Sequence, residues 1–265
     1  PPYIRDAWLP AVQVMIARER EGTECGLFAA AKGGYNAESH NHNDVGSFII
    51  FVDGHPLFVD LGTAAYSRQT FSSDRYELWY LQSQYHNLPT VRGVLQPPGK
   101  EFRAKDAAYR ADDGAAELSL DIAGAYPPEA GILSWRRTFR LVRGASASAS
   151  AAEAGAVSAA AFELTEDFRL TEPTDDVRYT FMTPCEPDLS RAEEGFVSFT
   201  VASGATATLS FETEHLEPAV ESVSDRMDAR MRGSLGDAMH RLLFKEKRAV
   251  SSGSRRFRVT VSRQN

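Results

Sequence analysis

The chain has 265 residues, of which 43% are hydrophobic and 25% charged, and its 29 Lys+Arg against 36 Asp+Glu give a net charge of −7. This composition excludes a wholly disordered or collagen-like chain. No apolar run approaches the roughly 20 residues that span a bilayer, so membrane insertion by a helix is excluded, and an acidic surface disfavours nucleic acid, whose binding draws on basic patches.

The Pro1-Pro2 start carries no initiator Met and none of the basic and apolar regions of a signal peptide. It reads as a cut inside a longer protein, with residues 1–11 as a linker from an upstream domain and 12–265 as one domain. Pro1, Pro2 and Pro10 hold off a helix. Val12, Val14 and Ile16, alternating with Gln13, Met15 and Ala17, then predict a strand. A second apolar run, 26–31 (GLFAAA), closes at Lys32-Gly33-Gly34. Residues 46–53 (GSFIIFVD) and 57–60 (LFVD) flank Gly54-His55-Pro56, which predicts a hairpin. A helix is predicted over 72–83, capped by Ser72 or Ser73, with apolar surface from Tyr76, Leu78 and Trp79.

Beyond residue 100 the predicted strands are 116–123, 133–142, 160–165, 177–182, 195–202, 205–212 and 255–262. Many short strands parted by Gly, Pro and Asp clusters indicate an all-β sandwich or barrel rather than βαβ units. Residues 145–159 are low in complexity and read as a flexible connection. Gly233 and Gly236 interrupt the charged, Met-containing stretch 225–243, so no continuous helix is expected there. Cys25 and Cys185 are too few for a disulfide scaffold and leave a single bridge, and the redox compartment, open.

Chemistry concentrates in Glu38-Ser39-His40-Asn41-His42-Asn43-Asp44, which holds two of the six histidines. So many polar side chains between a glycine pair and an apolar strand suit a functional loop better than a core. If the window is extended, His40 and His42 point to one side. Two imidazoles on one side suggest a metal or proton-transfer site. Asp60, after Leu57-Phe58-Val59, is out of place unless paired or ligated. His86 follows the candidate helix. His42, Asp60 and His86 then form a His₂-carboxylate set of ordinary zinc donors. His55 sits in a turn facing solvent, and neither it nor His215 nor His240 has such company.

At these residues the sequence resembles the heparinase II/III-like family of polysaccharide lyases. The resemblance is carried by FAAAKGGYNAESHNHNDVGSFIIF, PLFVDLGTAAY and TFSSDRYELWYLQSQYHNLPTVRG, with weaker similarity at Asp121–Pro127, Trp135-Arg136-Arg137 and FMTPCEP at 181–187. It implies the fold of the family's carboxy-terminal part, a large antiparallel β-sandwich (a lyase-type supersandwich) with one or two short helices, preceded in those proteins by an α/α toroid. It implies β-elimination on a uronic-acid-containing polysaccharide, of heparan, alginate or another acidic type. His40 resembles the catalytic histidine, and His42, Asp60 and His86 the ligands of a structural zinc. Asn36, Glu38 and Asn41 are expected to orient the substrate or His40. Lys32, Arg68, Arg75 and Arg92 are candidates for local positive charge. The family's tyrosine acid/base comes from the toroid. Tyr35, Tyr66, Tyr76 and Tyr85 match no such role, so this piece alone is expected to be inactive or nearly so. Gly62-Thr63-Ala64-Ala65-Tyr66 departs from the family's glycine-rich form.

Two other readings stand beside this one. A zinc-stabilised module could bind acidic glycan without cleaving it. A non-haem iron oxygenase would use His42, Asp44 and His86 as its facial triad. Polysaccharide breakdown points to the bacterial periplasm or exterior over the cytoplasm.

Overall fold

Period-two burial builds the largest sheet. In the strand Ile132–Val142, Trp135, Arg137, Phe139 and Leu141 turn inward, and in Ala161–Thr174 so do Phe162, Leu164, Glu166, Phe168 and Leu170. The computed structural model describes residues 3–144 and 160–263, so the low-complexity stretch 145–159 lies outside the described residues. The seven-stranded antiparallel sheet runs Phe196–Thr200, Thr206–Ser210, Val250–Ser262, Ala161–Thr174, Ile132–Val142, Ala115–Asp121, Lys105–Ala111. Its outer face is polar. Glu117, Arg140, Glu163 and Arg258 stand side by side across four strands with alternating charge.

Two smaller sheets pack on its apolar face. The first has five strands in the order Asp6–Leu9, Val14–Arg18, Leu27–Lys32, Phe48–Val52, His55–Phe58. The second has four, Leu216–Ser222, His240–Glu246, Val177–Thr183, Pro89–Val91. Phe48 of the five-stranded sheet stacks on Phe162 at 5.4 Å, and Phe181 of the four-stranded sheet meets Phe257 at 5.0 Å. Both small sheets therefore close one continuous core with the large one, which is the expected all-β sandwich. Tyr35–Asn36 pairs with Gly99–Arg103 as a separate ribbon.

Three expectations change. Asp6–Leu9, inside the stretch read as linker, is the edge strand of the five-stranded sheet. Trp8 stacks on Tyr109 at 5.3 Å, and Asp6 pairs with Arg143, which ties this segment to the large sheet. The next strand is Val14–Arg18, and Val12 is exposed in the turn before it. Its fully buried side chains are Met15 and Ala17, while Val14 and Ile16 lie half-buried on an outer face that is itself apolar. The predicted helix over 72–83 is instead a chain of 3₁₀ turns at Gln69–Phe71, Ser73–Glu77, Trp79–Leu81 and Ser83–Tyr85. Ser72 does cap, accepting the Asp74 amide, but Ser72, Leu78 and Gln82 between the turns are extended. Short turns let the consecutive residues Leu78, Trp79, Tyr80 and Leu81 all pack on a second, Met-rich core, whereas one α-helix would point them all round its axis. Among the described residues the one α-helix is Ala229–Leu235, ended at Gly236, so the 225–243 stretch holds no continuous helix, as expected. Cys25 and Cys185 are both free thiols.

Candidate metal centre and catalytic face

The His/Asn window folds as a turn. His40 takes a left-handed backbone (φ +58°) and is exposed, whereas His42 is buried. The two imidazoles therefore do not share a side, which corrects the extended-chain expectation. After the turn the chain is pinned at Gly46 (φ +90°), where a Cβ would lie 2.7 Å from Ile122 Cγ2.

His42, Asp60 and His86 converge, each with a ligating atom within 4.8 Å of the others. Asp60 arrives at the end of the hairpin strand His55–Phe58, and His86 ends the last 3₁₀ turn. Asp60 Oδ2 lies 2.8 Å from His86 Nδ1, and Asp60 Oδ1 lies 3.9 Å from His42 Nδ1 while accepting the Gly62 amide at 2.8 Å. Burial works against the charged His86, but attraction to Asp60 and their hydrogen bond outweigh it, so its pKa stands above the ordinary value. Burial would raise Asp60, yet His86 holds its carboxyl well below the usual carboxylate range. Burial pushes His42 down, against the pull of Asp60.

The donors fit a cation. His42 Nδ1 and His86 Nε2 are buried polar atoms without a hydrogen-bond partner. Two imidazoles and a carboxylate are an ordinary zinc donor set. Asp44, the carboxylate of the facial-triad reading, is elsewhere: its Oδ1 sits 2.7 Å from Lys32 Nζ.

Around this trio the predicted residues divide. Arg75 donates to the carbonyls of Asn41 and Thr70, both at 3.0 Å, and so clasps the histidine turn to the 3₁₀ segment. Asn41 Nδ2 reaches the Tyr76 hydroxyl at 3.4 Å, and the Asn43 amide donates to Leu81 O at 2.9 Å. His40 and Arg75 line a small cavity of about 80 Å³ with Thr63, Tyr66, Phe71 and Tyr80. Lys32 is spent on Asp44, with Glu38 3.8 Å away. Asn36 does not face the site. It is fully buried and donates to Gln96 Oε1 and Pro97 O, because the Tyr35–Asn36 ribbon turns it under the loop. Arg92 is also remote, bracing Ala130 O and Glu172 O, and Arg68 is exposed.

Sequence reasoning missed the supports beneath the loop. The Arg137 guanidinium, paired with Glu166 at 2.6 Å, also donates to Gly46 O (2.6 Å) and Asn87 O (2.8 Å), which joins the chain after His42 to the residue after His86. Asn87 donates to Phe48 O and Val59 O and accepts the Met182 amide. Gln96 pairs with both the amide and the carbonyl of Val45. A signal existed for Arg137. It falls in phase with Trp135, Phe139 and Leu141, so period two turns it inward.

The family described as "Heparinase II/III-like, C-terminal" matches residues 5–214. A heparin-sulfate lyase of Bacteroides thetaiotaomicron is 27% identical over 108 residues, which are 40% of this chain and 14% of that protein. The crystal structure of a heparan sulfate lyase from Pedobacter heparinus superposes with TM-score 0.70 at 16% identity, covering 99% of this chain and 37% of the lyase. A heparinase III structure gives TM-score 0.66 at 12% identity, over 98% of this chain and 37% of that one. The chain thus spans little more than a third of the solved lyases that share its fold. With the family model matching most of its length, the chain belongs to the heparinase II/III-like C-terminal family.

Proposed function

We propose that this chain is the β-sandwich part of a polysaccharide lyase that cleaves uronate-containing glycans by β-elimination, acting in the bacterial periplasm or outside the cell. One observation carries the reading: His40 is exposed on a turn whose next residues are clamped by Arg75, by Leu81 and by the His42–Asp60–His86 trio. A side chain held open on a fixed loop is what a proton-handling group needs.

In this elimination a base takes the C5 proton of the uronate. The electron pair is held by the neighbouring carboxylate and then forms the C4–C5 double bond. The bond from C4 to the bridging oxygen breaks, and that oxygen takes a proton. No water is consumed. The carbanion is reachable only if the carboxylate charge is offset by charge or hydrogen bonds. His40 is the group of this chain proposed to act there, and Arg75 holds its turn. The tyrosine acid/base is assigned to an upstream α/α toroid, so the isolated chain turns over little or nothing. His42, Asp60 and His86 would hold a zinc ion whose contribution is structural, fixing the loop rather than activating water.

The test is ultraviolet absorbance of unsaturated uronate product, using the natural full-length protein. His40→Ala is expected to lower kcat by about 10²–10⁴, the usual size of a general acid–base contribution. Undiminished turnover in that variant would remove His40 from the chemistry, whereas a native full-length protein that binds uronate glycan but forms no unsaturated product would favour a non-catalytic glycan-binding module.

A further inference from the structure

We propose that Phe71, Tyr66 and Arg230 form a subsite for an anionic sugar ring at the rim of the His40 cavity; only the choice of a glycan as ligand rests on the lyase reading. Phe71 is 79% exposed and Tyr66 is 53% exposed, yet the rings touch, with centroids 5.5 Å apart and planes at 62°. Single exposed apolar residues are ordinary, but two large aromatics in contact beside a functional cavity mark a binding surface. Both line the same cavity as His40 and Arg75. An open aromatic face suits the C–H face of a pyranose.

Charge supplies the rest. The Arg230 guanidinium lies over Tyr66, 5.2 Å from the ring centroid, and is exposed. Arg68, also exposed, sits between the two aromatics in sequence. Asp228 is the neighbouring carboxylate, and its oxygens are taken by the Ala65 and Met231 amides, at 2.6 and 2.9 Å. That same contact ties the start of the helix Ala229–Leu235 to the aromatic loop. On a chain of net charge −7, this is a local cationic edge suited to a carboxylate or sulfate. Arg230 lies beyond residue 214, where the family match ends.

The test is calorimetric titration of the chain with hexasaccharides of heparan sulfate, hyaluronan and cellulose. The native chain is expected to bind one or both acidic oligosaccharides at least tenfold more tightly than the neutral one. Preference for heparan sulfate over hyaluronan assigns the contact to sulfate, and equal binding assigns it to the carboxylate. Phe71→Ala is expected to weaken acidic binding at least tenfold, and Arg230→Gln to narrow the preference for acid over neutral sugar. Both side chains are exposed, so melting temperatures should match the native chain. Native affinity in both variants would overturn the subsite, as would a native chain that binds neither acidic sugar. A dimer in sedimentation that Phe71→Ala dissolves would overturn it too, by giving the aromatics to a second copy. Failure of the lyase reading shows separately, in the turnover of the full-length protein.

Discussion

Asp60 joins the two histidines of the centre, one oxygen toward each. In the metal-free chain its partner His86 holds a proton more tightly than it would unfolded, because its pKa is raised. This pair therefore adds stability that is complete below about pH 6.5 and is lost as pH climbs through the folded-state value. The lowered pKa of Asp60 acts at the other end: its contribution is present above about pH 3.9 and is lost as pH falls through the depressed value. A metal ion must displace the His86 proton. Zinc affinity should then climb with pH near neutrality, by about tenfold per unit while one proton is released. Titration in two buffers of different ionisation enthalpy measures that proton, and a flat affinity from about pH 6 to 8 would contradict a protonated His86. Loss of a supporting group costs a metal site about 10–100-fold, so Asp60→Asn, which removes a donor, should cost more than about 100-fold. Asp60 was legible as a carboxylate closing an apolar run, His42 by its place in the crowded polar window, and His86 by its place just after the candidate helix. Asn36 was not, since its partner Gln96 returns from 60 residues away and nothing local announces it.

The strand pair Ile132–Val142 and Ala161–Thr174 carries a charge pair into the core, and the pair does more than stabilise the sheet. Arg137 and Glu166 are both essentially buried, so removing one leaves the other uncompensated. Arg137→Met should cost about 3–5 kcal/mol in urea unfolding. Arg137→Met with Glu166→Leu should recover much of that, because well-packed apolar replacements of a buried pair are often neutral or better. The double variant should still bind zinc more weakly, by about 10–100-fold, because Gly46 O and Asn87 O lose their common donor. Full recovery of zinc affinity would reduce Arg137 to a core ion pair. Strands with a clean apolar phase, such as 133–142 and 177–182, were readable. Lys105–Ala111 and Leu216–Ser222 were not, because they are exposed edge strands with little apolar content, the second carrying Pro218. The 3₁₀ path to His86 escaped for another reason. Its apolar residues are spaced closely enough to suggest a helix, and only their need to face one core from three short turns rules it out.

The described residues form two cores of unequal size. The large one joins the inner faces of all three main sheets. The smaller gathers Val59, Leu61, Tyr80, Leu81 and Tyr85 with Met182, Met227, Met231 and Met239, four of the chain's five methionines. It lies under the very segments that present Asp60 and His86. Flexible methionines fill irregular space between short turns well, but they fix it less rigidly than branched side chains do. The segments above this core have few ladder hydrogen bonds of their own, so their order depends on Arg75, on Asn87 and on the metal donors. Chelation should therefore loosen the molecule unevenly. In hydrogen exchange, amides in 38–46 and 60–88 should lose protection by about tenfold or more when the metal is removed, while those in Ile132–Val142 and Ala161–Thr174 keep theirs. Equal loss in both regions would mean that the ion stabilises the whole sandwich cooperatively. Unchanged exchange everywhere would mean that the His42–Asp60–His86 cluster holds itself together with a proton alone.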